Sequence, residues 1–297
     1  VSEISRIKNL NNKIINKSFS HKYIGPLYGI VNSWFYFICG YKIFYINYLP
    51  LWNFFPFLML PPKSILGPIT GSVYTGKKKF SLNTRNIVFP ILYFINSYLI
   101  RFRFKKIIFS TNLLNEYFPK RKNYFFNYVV TFLNHKFKVS KKKIDLVYYY
   151  RKHDNKNNKN ILRTLKELND QGLKIYIIGN RLKISNIKNF GYVSNDKVLN
   201  ILKNSKATLS SAENLYSIFN IDSLNNNLKV FFDLSLIKFN NPKFSENLIP
   251  IDFKNKKNAH YIRKMIKQNN QSKVNMDKLR RLNIFKRKFN NFIKYYF

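Results

Sequence analysis

The sequence predicts an α/β protein of two Rossmann-like domains facing across a cleft, followed by C-terminal helices. Three observations lead there. In the second half, apolar runs of strand length alternate with segments of helical periodicity, and a weaker version of the same alternation fills the first half. A short charged connector, Val139-Ser140-Lys141-Lys142-Lys143, separates the two. Strands separated by helices imply parallel sheets, and 297 residues suit two domains at ~150 residues each. The expected units are residues 1–140, a shortened, aromatic and basic domain; 141–254, a second α/β domain; and 255–297, basic helices.

In the first half an aromatic helix is expected from about Leu27 to Cys39, then a strand from Lys42 to Tyr48 and a proline-punctuated apolar segment. A proline-led strand, Ser64-Ile65-Leu66, runs into the turn-rich loop Gly67-Pro68-Ile69-Thr70-Gly71-Ser72. A helix over about Ile91 to Arg103 leads to a strand at Lys105 to Ser110 and a helix start at Ser110-Thr111-Asn112. Val1 to Ser20 offers neither the strand nor the glycine loop that opens a complete Rossmann unit.

The second half is more regular. Strand Ile144 to Tyr150, helix Asn160 to Asp170, strand Lys174 to Ile178 closing on Gly179, and a short strand before Gly191 follow in order. Helix Asn195 to Asn204, strand Lys206 to Ser210, helix Ser217 to Asn225 and strand Lys229 to Phe232 complete the series. Beyond Asn255, Tyr261, Ile262, Met265 and Ile266, and later Leu279, Leu282, Phe285, Phe289 and Phe292, recur at helical spacing.

Composition bounds the partners. The chain has 53 Lys+Arg against 13 Asp+Glu, a formal net charge of +40, and 18% aromatic residues. Lys, Asn, Ile, Phe and Tyr all have AT-rich codons, so a coding bias accounts for much of this. The charge still attracts polyanions and anionic bilayers. Cys39 is the only cysteine, which excludes an intramolecular disulfide framework and fits a reducing compartment. His21, His135, His153 and His260 lack ligand spacing, so no metal site and no cofactor is expected. Val1 to Ser20 lacks the pattern of a secretory signal. The uncharged stretches Ile24 to Tyr41 and Ile43 to Pro62 reach spanning length, but their glycines, prolines and asparagines favour buried strand plus membrane-facing helix. The expected location is cytoplasmic, peripheral at the cytosolic face of a membrane.

The residues that carry chemistry stand at strand ends. Arg151 and Lys156 follow the apolar run Ile144 to Tyr150, and Leu209-Ser210-Ser211-Ala212-Glu213 ends another before the helix carrying Asp222. Ligands of α/β sheets gather at the carboxyl ends of strands, where helix amino termini offer N–H groups to phosphate. Against this, Arg151 and Lys156 are two among 53 cations, Glu213 reads equally as a helix-capping acid, and Asp222 alone reads as a solvated helix residue. The Gly67–Thr70–Gly71 segment reads either as an anion-holding cleft loop or as a tight turn.

Taken in order, these residues resemble the GT-B glycosyltransferases of the retaining, nucleotide-sugar-dependent family called glycosyl transferases group 1. The resemblance covers about Ile144 to Asp252, and more weakly Tyr45 to Ser72 and Lys105 to Phe118. Tyr150-Arg151 and Lys156-Asn157 stand where the family has Gly-Arg and Lys-Gly, so the cations remain and the glycines do not. Strand Lys174 to Gly179 and the turn Asn189-Phe190-Gly191-Tyr192-Val193 also match. Glu213 and Asp222 stand for the family's paired acids, with eight residues between them where the family has seven, and Ser217 replaces a phosphate-facing glycine.

The resemblance implies a metal-independent hexosyltransferase whose donor is a nucleotide sugar and whose acceptor is a glycan or lipid-linked molecule. Arg151, Lys156 and Ser217 would bind the donor diphosphate, Glu213 would be catalytic at the sugar, and Asp222 would hold the ribose. Gly67, Thr70, Gly71 and Gly179 would line the cleft. Two other readings compete: a basic RNA-binding protein of ribosomal type, and an inactive transferase-like protein, which the lost glycines and altered acid spacing favour. Nucleic acid is disfavoured as the partner, because an RNA binder needs no ordered series of strand-end Arg/Lys, Gly and Glu.

Overall fold

The computed structural model describes residues 19–71, 87–110, 112–119, 121–126, 142–152, 159–210, 215, 217–239, 245–255, 257–268, 287–288 and 290–292. The protein is α/β with two parallel sheets. Helix α1 (Phe19–Ile38) precedes strand β1 (Phe44–Pro50), short helix α2 (Phe54–Met59) and β2 (Ile65–Thr70). Helix α3 (Phe89–Arg103), β3 (Lys106–Phe109), a 3-10 turn at Asn112–Leu114 and β4 (Tyr124–Phe126) complete the first unit. Its sheet runs β1-β2-β3-β4, all parallel. Leu49, Phe57, Ile69, Ile100, Phe109 and Phe118 share its core.

The turn-rich loop expected at Gly67 is instead the continuation of β2, which runs through the cis Gly67-Pro68 peptide to Thr70 with a register shift between Leu66 and Ile69. A side chain at Gly67 would place its Cβ 2.5 Å from the Ile108 carbonyl oxygen, so glycine there lets β2 and β3 approach. The helix expected at Ser110 is only the 3-10 turn.

The second unit follows the expected order closely: β5 (Ile144–Tyr150), α4 (Lys159–Asp170), β6 (Ile175–Gly179), β7 (Lys188–Asn189), α5 (Asn195–Lys203), β8 (Ser205–Leu209), α6 (Ile218–Asn225) and β9 (Lys229–Asp233). A 3-10 turn (Leu234–Phe239), β10 (Leu248–Ile251) and α7 (Asn258–Lys267) follow. The six strands lie in the order β7-β6-β5-β8-β9-β10, all parallel. The chain therefore moves outward from β5 to one edge, returns to the middle, and moves outward to the other. This is the doubly wound Rossmann order.

Side-chain alternation along β5 explains why both sheet faces are covered. Leu146, Tyr148 and Tyr150 pack with α4 and α7 through Leu165, Leu168, Ile262 and Ile266. Val147 faces the other way, into a cluster with Ile201, Leu202 and Leu228. Helix α7 thus belongs to the core of this unit. Phe292 packs on Phe125 of the first unit, ring centroids 5.4 Å apart, and the Lys106 ammonium donates to the Phe292 carbonyl. Most of the later C-terminal helix expected from Leu279 lies outside the described residues, as does most of the connector at Val139 to Lys143. No described helix is long and apolar enough to cross a membrane.

Candidate functional site

The reversal of strand order falls between β5 and β8. Tyr148 is in register with Leu209, so Arg151, just past the end of β5, leaves the sheet beside Ser210, just past the end of β8. A switch point of this kind opens a crevice, because the connections on either side of it lead to opposite faces of the sheet.

Three hydrogen bonds and a glycine fix the exit of β5. The Asn180 N–H donates to the Tyr150 carbonyl at 2.8 Å, and the Lys152 N–H donates to Asn180 Oδ1, also at 2.8 Å. The Tyr192 hydroxyl shares that oxygen at 3.0 Å. Gly179, at φ +95, makes the junction possible: a Cβ there would stand 2.3 Å from the Tyr150 carbonyl oxygen. Its N–H meets the carbonyl of Gly191 at 2.9 Å, which closes the turn that the sequence marks with two glycines. Arg151 and Lys152 are exposed at this exit.

The exit of β8 is built from hydroxyl and amide groups. Ser210 is buried, its N–H bonded to the Phe231 carbonyl at 2.8 Å and its Oγ accepting from Asn220 Nδ2 at 2.8 Å. Ser217 caps α6: its Oγ accepts the Asn220 N–H at 3.3 Å. Asn220 therefore ties the helix amino terminus back to the end of β8. At the far end of α6, the Lys142 ammonium donates to the carbonyls of Asn226 at 3.3 Å and Asn227 at 2.7 Å, a favourable place for a cation. Burial, with Lys229 nearby, lowers the Lys142 pKa to about 8.

Asp222 lies within α6 and is buried, not solvated. Its Oδ1 has no hydrogen-bond partner, and burial raises its pKa to about 6. A carboxylate in that position keeps an acceptor in reserve.

Of the residues singled out from sequence, Arg151, Gly179, Ser217 and Asp222 belong to the second sheet and α6. Thr70 ends β2 and Gly71 follows it, in the first sheet, where a Cβ on Gly71 would come 2.6 Å from Leu114 Cδ2. Lys156 and Glu213 lie outside the described residues. Among the described residues no cluster of His, Cys, Asp or Glu has the arrangement of a metal site. Sequence reading missed Asn180 and Asn220. The only available signal was position, one residue after a strand-closing glycine and three after a capping serine.

No protein-family model matches the chain, and no curated protein sequence does. Solved structures do match. One is a DNA-modifying β-glucosyltransferase determined with and without uridine diphosphoglucose, at 14% identity over 63% of each chain, with a TM-score of 0.40. A second is an α-glucosyltransferase in complex with UDP-glucose and DNA, at 11% identity over 77% of this chain and 79% of that one, TM-score 0.42. A third is TarM, at 16% identity over 84% of this chain and 51% of that one, TM-score 0.45. The chain thus spans less than two thirds of the first and the third. Similarity to glycosyltransferase structures is present at low identity. The strand pairing within this chain carries the functional reading that follows.

Proposed function

We propose that this protein is a GT-B glycosyltransferase resembling glycosyl transferases group 1, moving a hexose-type sugar from a nucleotide-sugar donor to a glycan or lipid-linked acceptor. The supporting observation is the switch point between β5 and β8, where Arg151 and the capped start of α6 leave adjacent strands. Cleavage of the sugar–phosphate bond leaves the electron pair on the diphosphate oxygen, while the acceptor hydroxyl bonds to the sugar carbon and its proton passes to the departing diphosphate. The charge growing on the diphosphate needs fixed positive partners.

Arg151 and Lys156 take that role, aided by the N–H groups at the start of α6. Ser217 accepts through its lone pair from Asn220, which leaves its hydroxyl proton for a phosphate oxygen. Glu213 is assigned to the sugar. Asp222 is assigned the ribose hydroxyls, which requires its buried, unpartnered Oδ1 to be uncovered when the donor enters. Thr70 and Gly71, at the end of β2, and Gly179, at the end of β6, shape the two sides of the cleft, while Gly67 lets β2 pack on β3 behind it. No metal is assigned to the reaction, since two cations and a helix terminus supply the positive charge.

A donor-hydrolysis screen over several nucleotide sugars, read by released nucleotide, tests the reading. Turnover in Arg151→Ala should fall about 100-fold, the scale of losing one preorganised donor. Lys166→Ala, which removes an exposed cation on α4, should leave it unchanged. Equal losses in both would mean that the charge acts only as a diffuse field. RNA affinity in the nanomolar range with a steep salt dependence, and no donor turnover, would favour the RNA-binding reading.

A further inference from the structure

The outer faces of the first unit's helices are apolar where those of the second unit are polar. On α1, Leu27, Val31, Phe35 and Ile38 form an outward stripe, each at least half exposed, while Ile30 and Ser33 face inward. On α3, Ile91, Ile95, Tyr98 and Phe102 repeat that spacing outward, over inward Tyr93, Asn96 and Ile100. Between them, α2 exposes Phe55, Leu58 and Met59. The Trp34 indole donates to the Met59 carbonyl, joining α1 to α2, and α2 packs on α3.

Twenty of the twenty-five exposed large apolar or aromatic side chains among the described residues belong to residues 27–102. With aromatic side chains carrying ~150–250 Å² each and about half of that exposed, the outward residues of α1, α2 and α3 present on the order of 1,000 Å², above the ~300–600 Å² of a typical largest patch. Coding bias does not account for it. The second unit is drawn from the same residue usage, yet α5 turns Asn195, Asp196, Lys197 and Asn200 outward.

Charge selects the occupant. Exposed Lys42, Lys63 and Lys105 follow the C-terminal ends of α1, α2 and α3, and residues 19–126 as a whole hold fourteen Lys and Arg and one acid, Glu116. A second copy of the chain would set two such surfaces against each other, with like charges facing. A nucleic acid satisfies the cations but gives Leu, Ile and Val side chains nothing to stack on. An anionic bilayer satisfies both, receiving the apolar stripes in its acyl boundary and the cations at its headgroups.

We infer that the α1–α2–α3 face docks this protein in the plane of an anionic lipid bilayer. The inference stands apart from the transferase reading, because docking is measured without any sugar donor. Trp34 on α1 and Trp52, stacked on Phe89 at the start of α3 with ring centroids 5.7 Å apart, are the only tryptophans, so intrinsic fluorescence reports on this unit alone. Vesicles of phosphatidylglycerol and phosphatidylcholine, with bromine-labelled acyl chains, should quench that emission in the unaltered protein. Phosphatidylcholine vesicles alone should bind at least about tenfold more weakly.

A variant carrying Val31→Ser, Phe35→Ser, Ile91→Ser and Ile95→Ser should lose at least about 100-fold in sedimentation with the anionic vesicles. Two results would overturn the inference: unquenched tryptophans on vesicle-bound protein, or a folded variant that binds as tightly as the parent. So would a parent protein that ignores vesicles but forms a dimer that the four substitutions dissociate.

Discussion

Replacing Asp222 with Asn should make the protein more stable at neutral pH while removing activity. In the folded chain the Asp222 pKa is about 6, against 3.8 for an unperturbed carboxyl, and burial is the cause. The sign follows from proton binding. Below pH 3.8 the carboxyl is protonated in both folded and unfolded chains and adds nothing. As the pH rises through 3.8 toward 6, the unfolded chain ionises freely and the folded chain does so only at a cost, so stability falls. Above 6 the penalty is complete: the difference between about 6 and 3.8, at about 1.36 kcal/mol per pH unit, makes about 3 kcal/mol.

Asp222→Asn removes that charge and nearly conserves shape. Urea unfolding followed by circular dichroism should show the variant more stable than the parent by about 3 kcal/mol at pH 7.5, and by under about 1 kcal/mol at pH 4. Taking the difference between the two proteins cancels the titration of the other carboxyls. A variant no more stable than the parent at pH 7.5, or an advantage that does not grow between pH 4 and 7, would refute the reasoning. A gain in stability with lost donor turnover is the trade expected of a buried acid held for a ligand.

Other outcomes follow from the same geometry. Gly179→Ala should destabilise by on the order of 2–3 kcal/mol, from its φ of +95 and the clash with the Tyr150 carbonyl, whereas Gly172→Ala, at φ +79 in open space, should cost about 1 kcal/mol by the same urea titration. Asn180→Ala frees the Lys152 N–H and should weaken donor turnover about tenfold, with a smaller change in folding stability, if the exit of β5 positions Arg151. Asp145 accepts from Lys206 Nζ at 2.7 Å and the Lys174 N–H at 3.0 Å, at the opposite end of the sheet. Asp145→Asn should therefore cost about 1 kcal/mol of stability and leave donor binding intact, read by urea and by calorimetry.

The second unit was legible because its strands are buried on both faces, which turns each into a continuous apolar run, as in Ile144 to Tyr150. The first unit blurs that signal, since α1 and α3 are apolar on both sides and their periodicity is weak. Three residues suffice for β4, and β10 holds Pro250, tolerable because the strand lies at the sheet edge; neither is a run that the sequence marks. Gly67-Pro68 has the composition of a turn but sits where β2 and β3 crowd together.

At the site, Arg151 and Ser217 could be placed from strand-end and capping patterns. The strand order that sets them side by side depends on pairing between residues some sixty positions apart, as in Tyr148 with Leu209. No local pattern reports it. The competing reading of Asp222 as a solvated helix residue fails: the stretch Asn220-Ile221-Asp222-Ser223-Leu224-Asn225 looks polar, but Asn220 and Ser223 bond back to the protein and the whole turn is buried.

The central claim is that the β5–β8 switch point holds a diphosphate. Calorimetric titration of the full chain with nucleoside diphosphates tests this without assuming the sugar. At least one should bind with micromolar affinity, and Arg151→Ala should weaken it at least about tenfold while Lys166→Ala leaves it unchanged. If no nucleoside diphosphate binds, or if Arg151→Ala binds as tightly as the parent, the site is wrong.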